Sequence, residues 1–148
     1  MKKNFLIKVF LSYFLLTCTL IAAQSDSFEK GIEFFKNNEF EKSKIYFERD
    51  LVFNPKNEKS YLYLAKIFSE RDNEEEVEIN LNNVLLLNPQ NDEAVYMLTL
   101  LKIKQYDYKR AQELKDRFTL ICKKLCSKKN EIKEKLEKLN PENDKNNN

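Results

Sequence analysis

Asn54-Pro55-Lys56-Asn57 recurs as Asn88-Pro89-Gln90-Asn91, a shift of 34 positions. A fixed internal period of that size marks a chain built from stacked helical units. Laid on it, the sequence divides into blocks 24–57, 58–91 and 92–125, each long enough for two helices. Proline disfavours a helical conformation in the residue before it, so Asn54 and Asn88 are expected to close the second helix of their blocks. Helix starts are marked by Asp26 with Glu29, Asn38 with Glu41, and Asn73 with Glu76. That is the spacing at which a capping side chain and an acid three residues on satisfy each other's free N–H groups. Phe40, Ser43, Ile45, Phe47 and Leu51 give the second helix an apolar side at helical spacing. One such pair cannot bury its apolar faces alone; stacked neighbours can, and about three repeats are needed for stability.

Composition narrows the function. The 148 residues include one glycine and no histidine. One glycine leaves no room for a Gly-rich phosphate loop, and the lack of histidine removes the His-based triads and metal sites. Residues 1–23 differ from the rest: Lys2 and Lys3 precede a mainly apolar run from Phe5 to Ala23, and Gln24-Ser25-Asp26 then turn polar. This is the pattern of a secretory signal, with cleavage expected after Ala23. An uncleaved anchor is a second reading, since the run is nearly long enough to span a bilayer. A third is lipidation at Cys18, because Leu15-Leu16-Thr17-Cys18 resembles a bacterial lipobox. Removing residues 1–23 removes Lys2, Lys3 and Lys8 and no acid, so the formal charge falls from +2 to −1. No electrostatic reason to bind nucleic acid remains.

The 34-residue period and the residues on it resemble the tetratricopeptide repeat (TPR) over about residues 24–125. In the first block Gly31, Phe34, Phe40, Ser43, Phe47 and Pro55 fall on the small, large and proline positions of that family. In the second, Tyr61, Leu64, Ala65, Phe68, Leu81, Val84 and Pro89 do so. In the third, Leu98, Tyr108 and Ala111 match, and Tyr106-Asp107-Tyr108-Lys109-Arg110-Ala111 is similar to the family's inter-helix turn. Ser27, Asp50, Lys115 and Lys123 depart from the pattern. The resemblance implies an all-α fold, a short α-solenoid of three TPR-like helix pairs. A helix within 126–139 carries a narrow stripe of Ile132, Leu136 and Leu139, with Glu131→Lys135 and Glu134→Lys138 pairs beside it. It is expected to cap the stack, and the polar tail 140–148 to be disordered.

In the family, the first helix of each repeat lines a concave groove. Carried onto this chain, the groove residues are Phe28, Ile32 and Phe35; Leu62, Tyr63 and Lys66 (with Ser69); and Tyr96, Met97, Leu100 and Ile103. Some members grip a terminal carboxylate with inward Lys, Asn and Arg. The matching positions here hold Phe28, Ile32, Tyr63, Glu93 and Met97, so that clamp is missing and an apolar helix or extended segment is the expected ligand. The resemblance implies a non-enzymatic adaptor or assembly scaffold, without catalytic residue, metal or cofactor. Its expected partner is another envelope protein or peptide segment, and its expected location the bacterial periplasm or outer envelope. Membrane contact would come through a retained signal or a lipidated Cys18. The rival is a membrane-tethered structural protein that self-associates.

Three further features call for a reading. Cys122 and Cys126 lie four apart, close enough on a helix for a disulfide if the helix distorts; free buried thiols are the other reading. The acids from Glu70 to Glu78 sit at a helix start, where the macrodipole favours them, and read as a solvated face. The lysines from Lys123 to Lys138 read as a solvated face too, with contact to anionic lipid the other reading.

Overall fold

The computed structural model describes residues 26–139; the expected signal over 1–23 and the expected disordered tail over 140–148 lie outside them. Among the described residues there are seven α-helices and no strand. They are α1 (26–36), α2 (Phe40–Phe53), α3 (Glu58–Ser69), α4 (Glu74–Leu87), α5 (Asp92–Lys104), α6 (Tyr108–Ile121) and α7 (Lys129–Leu139), the last preceded by a 3₁₀ turn, Cys126–Lys128.

The turns inside the pairs α1–α2, α3–α4 and α5–α6 follow the 34-residue period in their backbone. Asn38, Asp72 and Tyr106 have φ of 59°, 52° and 57°. Each stands just past a helix end, where a left-handed residue lets the next N–H reach back five residues. Glu39 N–H donates to Phe34 O, Asn73 N–H to Phe68 O and Asp107 N–H to Lys102 O, at 2.9, 3.1 and 2.9 Å. Asn and Asp tolerate this conformation because their short polar side chains bond locally. Asn38 is therefore the residue that ends α1, not the cap of α2. Glu39 takes the cap position and makes no side-chain cap bond there. The next helices are capped as helices usually are: Asn73, Asn91 and Asp107 accept from the N–H of Glu76, Ala94 and Arg110. Asn54 and Asn88 close α2 and α4, each donating its N–H to the carbonyl four residues back at 2.7 Å.

Contacts divide the chain into two compact units, Met1–Ser60 and Tyr61–Asn148, with the boundary inside α3. The first unit centres on Phe47, which is fully buried. A Cβ on Gly31 would lie 2.7 Å from its ring, so only glycine fits opposite so large a side chain. Ser43, buried in α2, donates its hydroxyl to Gly31 O at 2.8 Å. Ile45, expected on the apolar side, is instead exposed. Asp50 is buried and accepts from Ser60 Oγ at 2.5 Å and Asn57 Nδ2 at 2.7 Å. The residues 34 positions on from Asp50 and Ser60 are Val84 and Ala94, so a hydrogen-bonded pair in one repeat takes the register of an apolar pair in the next.

The second unit is cored by Leu64, Ala65, Ile67, Leu81, Val84, Val95, Leu98, Leu114 and Phe118. α5 packs against α4 and α6, and α7 covers α5 and α6 with Ile132 and Leu136 buried. Ile132 is 34 positions from Leu98 and 68 from Leu64, all three buried, so α7 takes the register of the first helix of a fourth unit.

The chain enters α7 through a turn that has no proline. α6 ends at Ile121, and Cys122 takes the register of Asn54 and Asn88. The N–H groups of Lys123, Lys124 and Leu125 then donate to one oxygen of Asp92 at 2.8, 2.7 and 3.2 Å. A disulfide joins Cys122 to Cys126 across this turn, with Cα atoms 5.3 Å apart. The distorted helix expected at the cysteines is absent, because the helix stops before them. Burial works against the charged form of Asp92, but the backbone N–H groups outweigh it and hold the carboxyl below its ordinary value.

Two predictions follow from this packing. Gly31→Ala gains about 1 kcal/mol of helix propensity but overpacks Phe47, which costs about 1–3 kcal/mol. Urea unfolding should show net destabilisation. Phe47→Leu, which copies the Ala65 and Leu81 register of the next repeat, should relieve it, so that the double variant is more stable than the sum of the singles implies. Asp92→Asn should cost about 1.5–3 kcal/mol near neutral pH, the range for hydrogen bonds to a charged group. A depressed carboxyl stabilises the fold above its unfolded-state value and loses that contribution as pH falls through its folded-state value. The wild-type and Asp92→Asn stabilities should therefore converge in acid; a gap independent of pH would show that the charge plays no part.

Candidate functional site

The ten groove positions fall in both units and differ in their surroundings. In the first unit Phe28, Ile32 and Phe35 are half-buried. Phe28 packs at 5.7 Å on Phe47 and Phe35 at 5.5 Å on Phe40, so both rings lean on α2. In the second unit Leu62 is 8% exposed and belongs to the core. It offers no groove surface, because α3 turns that side toward its neighbours.

Tyr63 and Lys66 are half-buried, and the Lys66 ammonium lies 5.1 Å from the Tyr63 ring centre. It also pairs with Glu93 Oε1 at 2.7 Å, tying α3 to α5. Tyr96 is held by the capping helix. Its hydroxyl donates to Glu131 Oε1 at 3.1 Å, the Lys128 ammonium lies 5.8 Å from its ring centre, and Phe118 packs at 5.9 Å from the other helix. Burial raises the Tyr96 pKa, and the Glu131 carboxylate raises it further. Lys128 in turn holds Glu131 below its ordinary value. These three side chains lock α7 onto α5.

Met97 and Leu100 remain open. They line a cleft of about 170 Å³ with Val77, Leu101 and Ser69, and Asp72, Glu74 and Lys104 form its charged rim. The rim is internally paired. Lys104 Nζ stands 2.9 Å from Asp72 Oδ1 and 3.0 Å from Glu74 Oε1. Hydrogen bonds from Lys104 hold both carboxyls below their ordinary values and raise its own. Lys102 pairs with Glu78 at 2.6 Å beside it. Part of the acidic run is thus matched by two lysines of α5 in three ion pairs that sequence spacing alone did not reveal. Ile103 faces a second recess, of about 390 Å³, with Tyr106, Leu139 and the lysines 104, 135 and 138.

Among the described residues no group of His, Cys, Asp or Glu is arranged to hold a metal ion, and no helix is long and apolar enough to cross a membrane.

No family model and no curated protein matches this chain. Solved structures do. A chain of the CopN-Scc3 complex superposes with a TM-score of 0.65 at 15% identity, over 75% of this chain and 67% of that one. The Sgt2 TPR domain from Aspergillus fumigatus superposes with a TM-score of 0.64 at 17% identity, over 84% of this chain and 82% of that one. At such identities the likeness speaks for the fold, and the fold is all-α: a short α-solenoid of TPR-like helix pairs.

Proposed function

We propose that this protein is an exported interaction adaptor of the bacterial cell envelope, without turnover of its own, and that it seats an apolar segment of another envelope protein against α5. The observation that carries the reading is the cleft at Met97 and Leu100. Its floor is aliphatic, and its charges pair with one another at the rim instead of pointing inward. Its volume, about 170 Å³, is below the roughly 300–1,000 Å³ of small-molecule and cofactor sites and suits an anchoring side chain. Methionine adapts to irregular apolar shapes, which favours such an anchor. The TPR-like fold raises the prior for this role, but a fold does not fix function.

Export rests on the pattern of residues 1–23. The Cys122–Cys126 bond supports it, since disulfides persist in oxidising compartments. Envelope location and partner class are inferred from these features together.

The test is affinity capture from envelope extracts with the full chain. A partner held by the wild type should be lost from Leu100→Glu, with affinity weakened about 30-fold, the roughly 2 kcal/mol of a buried anchor. Ile45→Glu, at an exposed position of α2, should retain it. Equal capture by wild type and Leu100→Glu, with circular dichroism showing both folded, would remove the cleft from the function.

A further inference from the structure

The exposed apolar side chains of the second helices share one register. Val52, Leu86 and Leu120 are 34 positions apart and are 76%, 80% and 86% exposed. A second apolar residue follows each, Phe53, Leu87 and Ile121. Core packing does not use the first of these positions, since a polar residue would serve as well there.

Within the second unit, Leu86 and Leu120 are drawn toward one edge. Arg117 Nη2 donates to Pro89 O at 2.6 Å, and Lys123 Nζ to Gln90 Oε1 at 3.3 Å, so the end of α6 lies against the turn that follows α4. Asp116, one turn before Leu120 on α6, is paired with Lys115 at 2.9 Å, and beyond it the charge has one sign. From Arg117 to Asn130 the chain carries Arg117, Lys123, Lys124, Lys128 and Lys129 and no acid. Asp92, a second acid that touches the edge, is buried and occupied by three N–H groups. Lys123 and Lys124 are exposed, and the same three bonds and the disulfide fix their backbone.

We infer that this edge is a membrane-surface site for anionic lipid, in which Leu86 and Leu120 enter the headgroup–acyl boundary while Lys123 and Lys124 meet the phosphates. Leucines this exposed project outward instead of lining a recess, which suits a deformable interface better than a peptide. Apolar insertion beside lysines is the pairing that anionic bilayers reward. The inference stands apart from the α5 cleft and survives or fails without it.

The chain contains no tryptophan, so a single one reports locally. The experiment uses the full chain carrying Leu120→Trp, with Tyr106→Trp as control at another exposed site. Vesicles of phosphatidylcholine with phosphatidylglycerol should move the Leu120→Trp emission to shorter wavelength and expose it to quenching by brominated lipid. The Tyr106→Trp emission should stay put, even if residues 1–23 tether the chain. Adding Lys123→Glu and Lys124→Glu to Leu120→Trp should raise the lipid needed for a half-maximal shift by about 30-fold or more. No shift at Leu120→Trp, an equal shift at Tyr106→Trp, or equal shifts on pure phosphatidylcholine would overturn the proposal. A concentration-dependent shift without lipid would assign the edge to a second copy of the chain. A shift with polyglutamate but not with vesicles would assign it to an acidic protein. Either of those results overturns the lipid reading.

Discussion

A chain reversal every 34 residues governs this protein, and each reversal within a pair depends on one residue held at positive φ. Asn38, Asp72 and Tyr106 occupy that conformation, and a backbone bond spanning five residues closes each turn. The conformation costs about 1–2 kcal/mol for a residue with a Cβ. Asn and Asp adopt it more readily than other residues with a Cβ, whereas a tyrosine is held there by the same two turn bonds, Tyr106 N–H to Ile103 O and Asp107 N–H to Lys102 O. The chain's one glycine is used elsewhere. It stands at Gly31, where the Phe47 ring leaves no room for a Cβ. Steric demand from a buried aromatic ring thus took precedence over backbone freedom in a turn.

The same register is filled differently in each repeat, and the substitutions come in matched sets. Gly31 faces Phe47, while the next repeat has Ala65 and Leu81 at these positions. Asp50 and Ser60 share a hydrogen bond where the next repeat has Val84 and Ala94. A buried carboxylate is tolerable there because two donors satisfy it. At the end of the third pair the Asn-Pro stop is replaced by the Asp92 carboxylate and a disulfide. Both solutions end a helix and redirect the chain. The second also places α7 and the 3₁₀ turn before it, whose Glu131 and Lys128 respectively secure Tyr96.

That attachment shapes what the inner surface offers. A row of apolar residues on first helices is divided by its neighbours: two phenylalanines lean on α2, Leu62 joins the core, and Tyr96 goes to the cap. Met97 and Leu100 line an open cleft whose charged rim is paired within itself through Lys104. What remains open there is a small apolar pocket, and the charged side chains around it set its edges.

The sequence by itself determined the helices and their pairing. A 34-residue period, two Asn-Pro stops and side chains at capping positions are local signals, and local signals act through the backbone of the residues that carry them. The fate of individual groove residues was not legible, because exposure depends on which neighbour reaches a side chain first, and that neighbour can come from the next helix, as Phe40 does for Phe35, or from 35 residues away, as Glu131 does for Tyr96. Asn38 reads as a cap and acts as a left-handed stop, and the local sequence holds no sign that Asp92 clamps a turn 32 residues on. Tertiary structure decided these roles because a polar side chain takes whichever unpaired donor folding brings to it, and no short-range pattern records that meeting.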